Sequence, residues 1–139
     1  LLKGSKGTIP GVNPSDDFIK RLESTGVDLK NTTTYAAETY DGIILAALAA
    51  QKGGSADGKT IQANMAAVSG ADGGEKCDSY KACLALLKDG KDIQYQGQTG
   101  IGPFNKNNDP SSANIGVYTF DGDNKPVFDH SQEGSVPTA

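Results

Sequence analysis

The sequence predicts a mixed α/β fold in which helices come first and a β-hairpin lies near the C-terminus. Residues 35–50 are dense in alanine and aliphatic side chains, which favour a helix. Residues 114–120 alternate β-branched and aromatic side chains with others, and residues 121–124 form a tight-turn signal. A parallel sheet would need strands between the helices, and none is predicted there. We therefore expect the chain to be part of a larger fold.

Two short elements precede the central helix. Residues 1–9 are punctuated by glycine and are predicted to form an edge strand, or the end of a strand that began earlier. Asn13 is the predicted N-cap of a helix, with Pro14 at its first position. Asp16 and Asp17 then lie at the positive end of the helix dipole. The pattern predicts a short amphipathic helix on the surface.

The central helix is apolar on nearly all sides, so we expect neighbours to bury it on several sides. The spacing of a single buried face, i, i+4, i+7 and i+8, is met by Tyr40, Ile44, Ala47 and Leu48. The polar residues Tyr35, Glu38 and Asp41 crowd its first half together with Tyr40. A scaffold helix with a polar front end is therefore predicted.

Two further helices follow. One begins near Lys59, and a shorter one is capped by Asp78 or Ser79 and ends at Gly90. The chain is then expected to form loops with short extended pieces until the hairpin. Residues 130–139 are polar and are predicted to form a flexible tail.

Charge and composition exclude some classes of function. The 139 residues carry a net charge of −4, and their lysines are scattered. Nothing resembles the basic stripe that binding to a nucleic-acid backbone requires, so no nucleic acid is expected as a partner. The strongest apolar stretch is too short to span a bilayer. The chain begins Leu-Leu-Lys, and we expect a signal peptide or lipid anchor, if one exists, to lie outside it.

The two cysteines, Cys77 and Cys83, are close in sequence. Their spacing does not match a four-ligand zinc site, and His130 is the only histidine that could add a ligand. A local disulfide is predicted, with two free thiols as the alternative. A disulfide would contribute about 2 kcal/mol in the chain-entropy model and would indicate an extracytoplasmic compartment, periplasmic or at the cell surface.

Catalytic and metal-binding patterns are absent from the sequence. His130 lies in a polar tail without a nucleophile nearby in the chain, so neither an enzyme nor a cofactor is expected. Residues 105–109 place oxygen ligands at alternate positions, as calcium loops do, but they lack the central glycine and the remote glutamate. A plain turn without a metal is therefore the prediction.

Tyr35, Tyr40 and Asp41 are the candidate ligand-binding residues. A tyrosine offers a ligand cleft an apolar ring and a hydroxyl group together. The alternative is that Tyr40 belongs to the core, with its hydroxyl bonded to a neighbour, and that Asp41 faces water.

Four segments, taken in order, resemble the C-terminal portion of type I periplasmic (extracellular solute-binding) proteins of the branched-chain amino acid transport kind. They are G-T-I-P-G-V-N-P-S-D-D-F, Y-A-A-E-T-Y-D-G-I-I-L-A-A-L-A-A, K-C-D-S-Y-K-A-C-L-A-L-L-K-D-G-K-D-I-Q-Y-Q-G-Q-T-G and the final hairpin. The resemblance covers residues 7–128, within a single fragment of residues 1–139. Its most specific parts are the helix with Tyr40 and Asp41 and the Y-x-G-x-T-G piece from Tyr95 to Gly100. The cysteine pair resembles one seen in a subset of these proteins.

The resemblance implies a fragment of a two-lobed α/β fold that closes around an amino acid or similar solute. The partners would be that small molecule and the permease of an ABC importer. The alternative is a sensory or regulatory module of the same fold. Because the resemblance implies a missing N-terminal part, the fragment alone would expose apolar faces and strand edges. We therefore expect it to dimerise or to exchange elements.

Overall fold

The chain forms a small mixed α/β domain, as the sequence predicts. The computed structural model describes residues 2–29, 32–100 and 102–135. Within those ranges the elements, in order, are β1 (Lys6–Pro10), α1 (Asp16–Glu23), α2 (Ala36–Gly53), α3 (Gly58–Ser69), β2 (Glu75–Cys77), α4 (Tyr80–Lys88), β3 (Ile93–Tyr95), β4 (Ser112–Phe120) and β5 (Pro126–Ser135).

β1, β4 and β5 form an antiparallel sheet with β4 in the middle. Ile9 pairs with Gly116 across β1 and β4, and Tyr118 pairs with Phe128 across β4 and β5. The Asp121 carboxylate closes the hairpin because its Oδ1 accepts hydrogen bonds from two backbone N–H groups of the turn, at 2.8 and 2.9 Å. The predicted hairpin and the predicted N-terminal edge strand are both confirmed.

β5 is longer than the sequence pattern predicts. The strand continues through residues 130–135, which the sequence pattern assigns to a flexible tail, and Ser112 pairs with Ser135. Its side chains are exposed, so no apolar alternation marks this part as a strand. Residues 130–135 form a strand because they pair with β4. Residues 136–139, the rest of the predicted tail, lie outside the described residues.

β2 and β3 form a parallel pair, and α4 connects them. The prediction that no strand lies between the helices is therefore wrong. Each strand has three residues, too few for a recognisable alternation of apolar and polar side chains. Gly74 permits the close approach at the start of β2, because a Cβ there would lie 2.6 Å from the backbone nitrogen of Ile93.

α1, α3 and α4 begin at capping residues that fit their sequences, with one correction, whereas Tyr35 at the start of α2 makes no side-chain cap hydrogen bond. Ser15, and not Asn13, is the N-cap of α1, and its Oγ accepts a hydrogen bond from the Phe18 N–H at 3.3 Å. Pro14 therefore lies outside the helix. Asp57 caps α3 and Ser79 caps α4 in the same way.

The core lies between α2, α3, α4 and the β2–β3 pair. Leu48, Val68, Cys83 and Ile93 are almost completely buried there. The disulfide Cys77–Cys83, with its Cα atoms 5.3 Å apart, joins β2 to α4 and confirms the predicted pairing.

The buried stripe of α2 differs from the predicted one. Its buried residues are Ala37, Asp41, Leu45, Leu48 and Ala49. Ile43 is 64% exposed, so one side of the helix faces solvent, while α1, α3 and α4 contact other sides of it, in agreement with the expectation that neighbours bury it on several sides. Isoleucine and leucine lie on adjacent sides of this helix, and periodicity alone cannot tell which side faces the core.

Candidate functional site

The carboxylate of Asp41 joins the first half of α2 to the segment after β3. Its Oδ1 accepts hydrogen bonds from the Tyr95 hydroxyl at 2.9 Å and from the Gln98 N–H at 3.0 Å. Its Oδ2 accepts hydrogen bonds from the N–H and the hydroxyl of Thr99, both at 2.8 Å. Asp41 is 5% exposed, so the alternative that it faces water is wrong. A buried carboxylate with this many donors holds the two segments together.

Tyr95 and Gly97 are both fitted to this carboxylate. Burial raises the pKa of the Tyr95 hydroxyl far above its ordinary value, and the hydrogen bond to Asp41 and the charge of Asp41 raise it further. Tyr95 therefore stays protonated and donates its hydrogen bond at all physiological pH values. Gly97 leaves room for the carboxylate, because a Cβ there would lie 2.3 Å from its atoms.

The segment between β3 and β4, residues 96–100 and 102–111 as described, is called the strap here. Beyond Asp41, two serine hydroxyl oxygens hold it. Ser69 Oγ on α3 accepts from the Phe104 N–H at 2.8 Å, and Ser112 Oγ accepts from the Gly102 N–H at 2.8 Å. The strap is thus fastened to α2, α3 and the start of β4.

Glu38 lies one turn before Asp41 and contacts the segment that follows β1. Its Oε1 accepts a hydrogen bond from the Val12 N–H at 2.7 Å. Its Oε2 is shielded from solvent and has no hydrogen-bond partner among the described residues. Gly11 permits this approach, because a Cβ there would lie 2.5 Å from Oε1. A shielded carboxylate oxygen without a donor is unusual in a folded protein.

A cavity of about 100 Å³ lies between α2 and the strap. Its lining consists of Glu38, Asp41, Gly42, Leu45, Ser69, Tyr95, Gly97, Thr99, Gly102 and Phe104. Two of these side chains are carboxylates, and none is lysine, arginine or histidine. We call this space the α2–strap cavity.

The three residues that the sequence predicts as ligand contacts lie in different places. Asp41 lines the α2–strap cavity. Tyr35 is 50% exposed, has a left-handed backbone with φ 62°, and lines a separate cavity of about 190 Å³ together with Tyr118 and Phe128. Tyr40 is half-buried and lines neither cavity. Their contact with a ligand stays a prediction, and the structure does not bring them into one site.

Tyr40 packs between α1 and α2. Its ring meets Phe18 edge to face, with centroids 5.4 Å apart. The Arg21 guanidinium lies 5.0 Å from the centre of the Tyr40 ring and 5.3 Å from that of Phe18. These contacts fix α1 against α2, and Tyr40, which is half-buried, lies outside the cluster of buried core residues.

Other sequence candidates have ordinary surroundings. His130 is exposed and lies 3.6 Å from the Asp129 carboxylate. In the residue 105–109 segment, the Asn105 Oδ1 accepts from the backbone N–H groups of Asn107 and Asp109, as in a turn. Within the described ranges, no group of three or more His, Cys, Asp or Glu side chains lies close enough to hold a metal ion.

The sequence pattern does not single out Glu38 as a site residue, although it places Glu38 at the polar front of α2. Its backbone partner Val12 is 26 residues away in the chain, so no local spacing connects the two. The one available signal is the acidic pair Glu38 and Asp41, three residues apart on an otherwise apolar helix.

No protein-family model matches the chain, and comparisons with curated proteins and with solved structures gave no match. Among the described helices, none is long and apolar enough to cross a membrane.

Proposed function

We infer that the chain is the C-terminal portion of a type I solute-binding protein that serves an ABC importer and binds an amino acid or a similar small solute. The observation that carries this proposal is the contact between the two most specific pieces of the resemblance. Asp41 of the Y-D pair on α2 accepts hydrogen bonds from Tyr95, Gln98 and Thr99 of the Y-x-G-x-T-G piece. These pieces lie more than 50 residues apart in sequence.

The path of the chain also supports the proposal. β1 belongs to the three-stranded sheet, the elements from α1 to β3 follow, and the chain then returns to the same sheet in β4. Residues 11–15 and the strap make these two crossings. Both are tied to the first half of α2, by Glu38 and by Asp41 respectively. Connections of this kind suit a protein in which two lobes close around a ligand.

The disulfide supports an extracytoplasmic location for this function. Structural disulfides persist in oxidising compartments and are rare in the cytosol. Cys83 is completely buried and Cys77 nearly so, so the pair forms part of the core that supports α2.

A ligand screen on the longer gene product tests the proposal. The protein that includes the upstream sequence should gain thermal stability in the presence of one member of a panel of amino acids, amides and small carboxylates. A ligand at 100 times its Kd stabilises the folded state by about 2.7 kcal/mol. The 139-residue chain should show a much smaller shift with the same compound, because one lobe's contacts are absent.

Two outcomes would contradict this function. One is the absence of any shift across the panel, and the other is an upstream sequence that encodes no second lobe. Neighbouring permease and ATPase genes would favour transport, and a signalling operon would favour a sensory module.

The three-stranded sheet supports a further part of the proposal, self-association of the isolated chain. Ile115 and Val127 are 43% and 52% exposed on this sheet. No helix among the described elements packs extensively against it. Size-exclusion chromatography with light scattering should therefore give a dimer or a larger species for the 139-residue chain. A compact monomer at high concentration would exclude this part alone.

A further inference from the structure

The α2–strap cavity has apolar walls, and one of its lining residues carries a carboxylate oxygen that is shielded from solvent and lacks a donor among the described residues. Glu38 contributes that oxygen, while both oxygens of the neighbouring Asp41 already accept two hydrogen bonds each. Leu45, Phe104 and Gly42 contribute apolar surface to the lining. We propose that this cavity binds a small primary ammonium compound, whose charge pairs with Glu38 and whose short alkyl body contacts the apolar walls. The proposal holds whether or not the chain belongs to a transport receptor.

The sign of the ligand charge follows from the lining. Among the described residues, two carboxylates line the cavity and no cationic side chain does. The donors around Asp41 compensate its charge, but among the described residues Glu38 accepts a hydrogen bond from the Val12 N–H alone, on its Oε1. A cation that enters the cavity would supply the missing donor to Oε2. An anion would face two carboxylates without a partner.

The hydrogen-bonding geometry favours an ammonium group over a calcium ion. Calcium needs six or more oxygen ligands, and the Asp41 oxygens are already engaged. An ammonium group needs separate acceptors, and the Tyr95 hydroxyl oxygen, which donates its own proton to Asp41, keeps acceptor capacity.

The size of the cavity limits the ligand. A cavity of about 150 Å³ is known to hold benzene, with its six carbon atoms. The α2–strap cavity, at about 100 Å³, therefore suits roughly four non-hydrogen atoms. Because Oε2 is shielded, binding requires the Glu38 carboxylate to turn about its last side-chain bond, which is a soft torsion.

Titration of the ¹⁵N-labelled 139-residue chain with propylammonium chloride tests the proposal by NMR. Saturable shifts are expected at the backbone amides of Glu38, Gly42 and Thr99. 1-Propanol, of nearly the same size but uncharged, should bind at least about tenfold more weakly, since hydrogen bonds between charged groups are the stronger ones. Sodium chloride at equal ionic strength gives the baseline.

Three variants test separately how the charge of Glu38 and the space in the cavity contribute to binding. Glu38→Gln should weaken propylammonium binding by about tenfold or more, while Glu23→Gln, on the exposed part of α1, should not change it. Gly42→Leu should abolish binding, because Gly42 lines the cavity and a leucine side chain there would occupy it. The fold should persist, because a Cβ at Gly42 meets nothing within 4 Å and leucine favours a helix.

The Gly42→Leu result decides the matter if Glu38→Gln does not fold. Shifts that grow linearly without saturation would overturn the proposal. So would equal affinity for propylammonium and 1-propanol, or unchanged binding in Gly42→Leu.

Discussion

Replacing Asp41 with asparagine should lower the free energy of unfolding by about 3 kcal/mol. The carboxylate accepts four hydrogen bonds at 2.8–3.0 Å, two on each oxygen. Asparagine keeps one acceptor oxygen and turns the other into an NH₂ group. If that group replaces Oδ2, it faces the N–H and the hydroxyl of Thr99. The hydroxyl can rotate to accept, but the N–H cannot.

The magnitude follows from these contacts. A hydrogen bond to a charged group contributes about 1.5–3 kcal/mol, and the variant loses one of them outright. The bonds from Tyr95 and Gln98 remain but become neutral, and they are then about half as strong. The opposite orientation of the amide only moves the conflict to the Gln98 N–H, which donates to Oδ1. A loss of about 3 kcal/mol is a large part of the 5–15 kcal/mol that stabilises a typical domain.

Urea unfolding of the oxidised protein, followed by circular dichroism, measures this change. The midpoint should fall while the slope with urea stays the same, since the surface exposed on unfolding does not change. Hydrogen exchange at the Thr99 amide should become faster in the variant, because this amide donates to Asp41.

Asp92→Asn is the matched control. Asp92 is 66% exposed and pairs with Lys52 at 2.7 Å on the surface, so its replacement should change the free energy of unfolding by less than about 1 kcal/mol. A loss of under about 1 kcal/mol in Asp41→Asn, or a loss equal to that of the control, would refute the role given to Asp41.

Four further predictions concern the surroundings of this carboxylate and the disulfide. Gly42→Ala should raise the free energy of unfolding by about 0.5–1 kcal/mol, because alanine favours a helix and its Cβ meets nothing within 4 Å. In the same urea assay Gly97→Ala should lower it, since its Cβ would lie 2.3 Å from the Asp41 carboxylate; a stabilised Gly97→Ala would contradict this. Removing the disulfide with Cys77→Ala and Cys83→Ala together should lower it by about 2 kcal/mol, given a sequence separation of 6, and the reduced wild type should behave alike. Stability should fall as the pH rises above about 10, where an ordinary tyrosine titrates. Because the pKa of Tyr95 is raised in the folded state, the unfolded chain binds fewer protons in this range. Tyr95→Phe should show a smaller alkaline loss in urea melts at several pH values, and an unchanged loss would count against the shift.

Local signals in the sequence account for most of the helices and for the hairpin. The turn at residues 121–124 and the alternation before it predict the hairpin, and serine or aspartate caps mark where α3 and α4 begin. The predicted N-cap of α1 is wrong by two residues. Asn13 and Ser15 both suit an N-cap, and Pro14 suits the first helical position that would follow Asn13. Such choices depend on backbone angles that composition does not reveal.

The candidate site was only partly predictable. The polar front of α2 is visible in the sequence, and Asp41 is one of its members. The rotation of α2 against its neighbours decides which of its side chains line the cavity. Glu38 lines it, and Tyr40 does not. Isoleucine or leucine on either side of the helix could have faced the core, so the apolar pattern leaves this rotation open.

By itself the sequence determined a mixed α/β chain with one short-range disulfide, because helix propensity, turn chemistry and cysteine spacing act over a few residues. Only the tertiary structure decided that the three-residue strands β2 and β3 pair in parallel, and that β5 continues to Ser135. It also decided that Asp41 is buried under the strap. Each of these features depends on a partner 13 to 58 residues away in the chain, and contacts over such distances leave no local pattern.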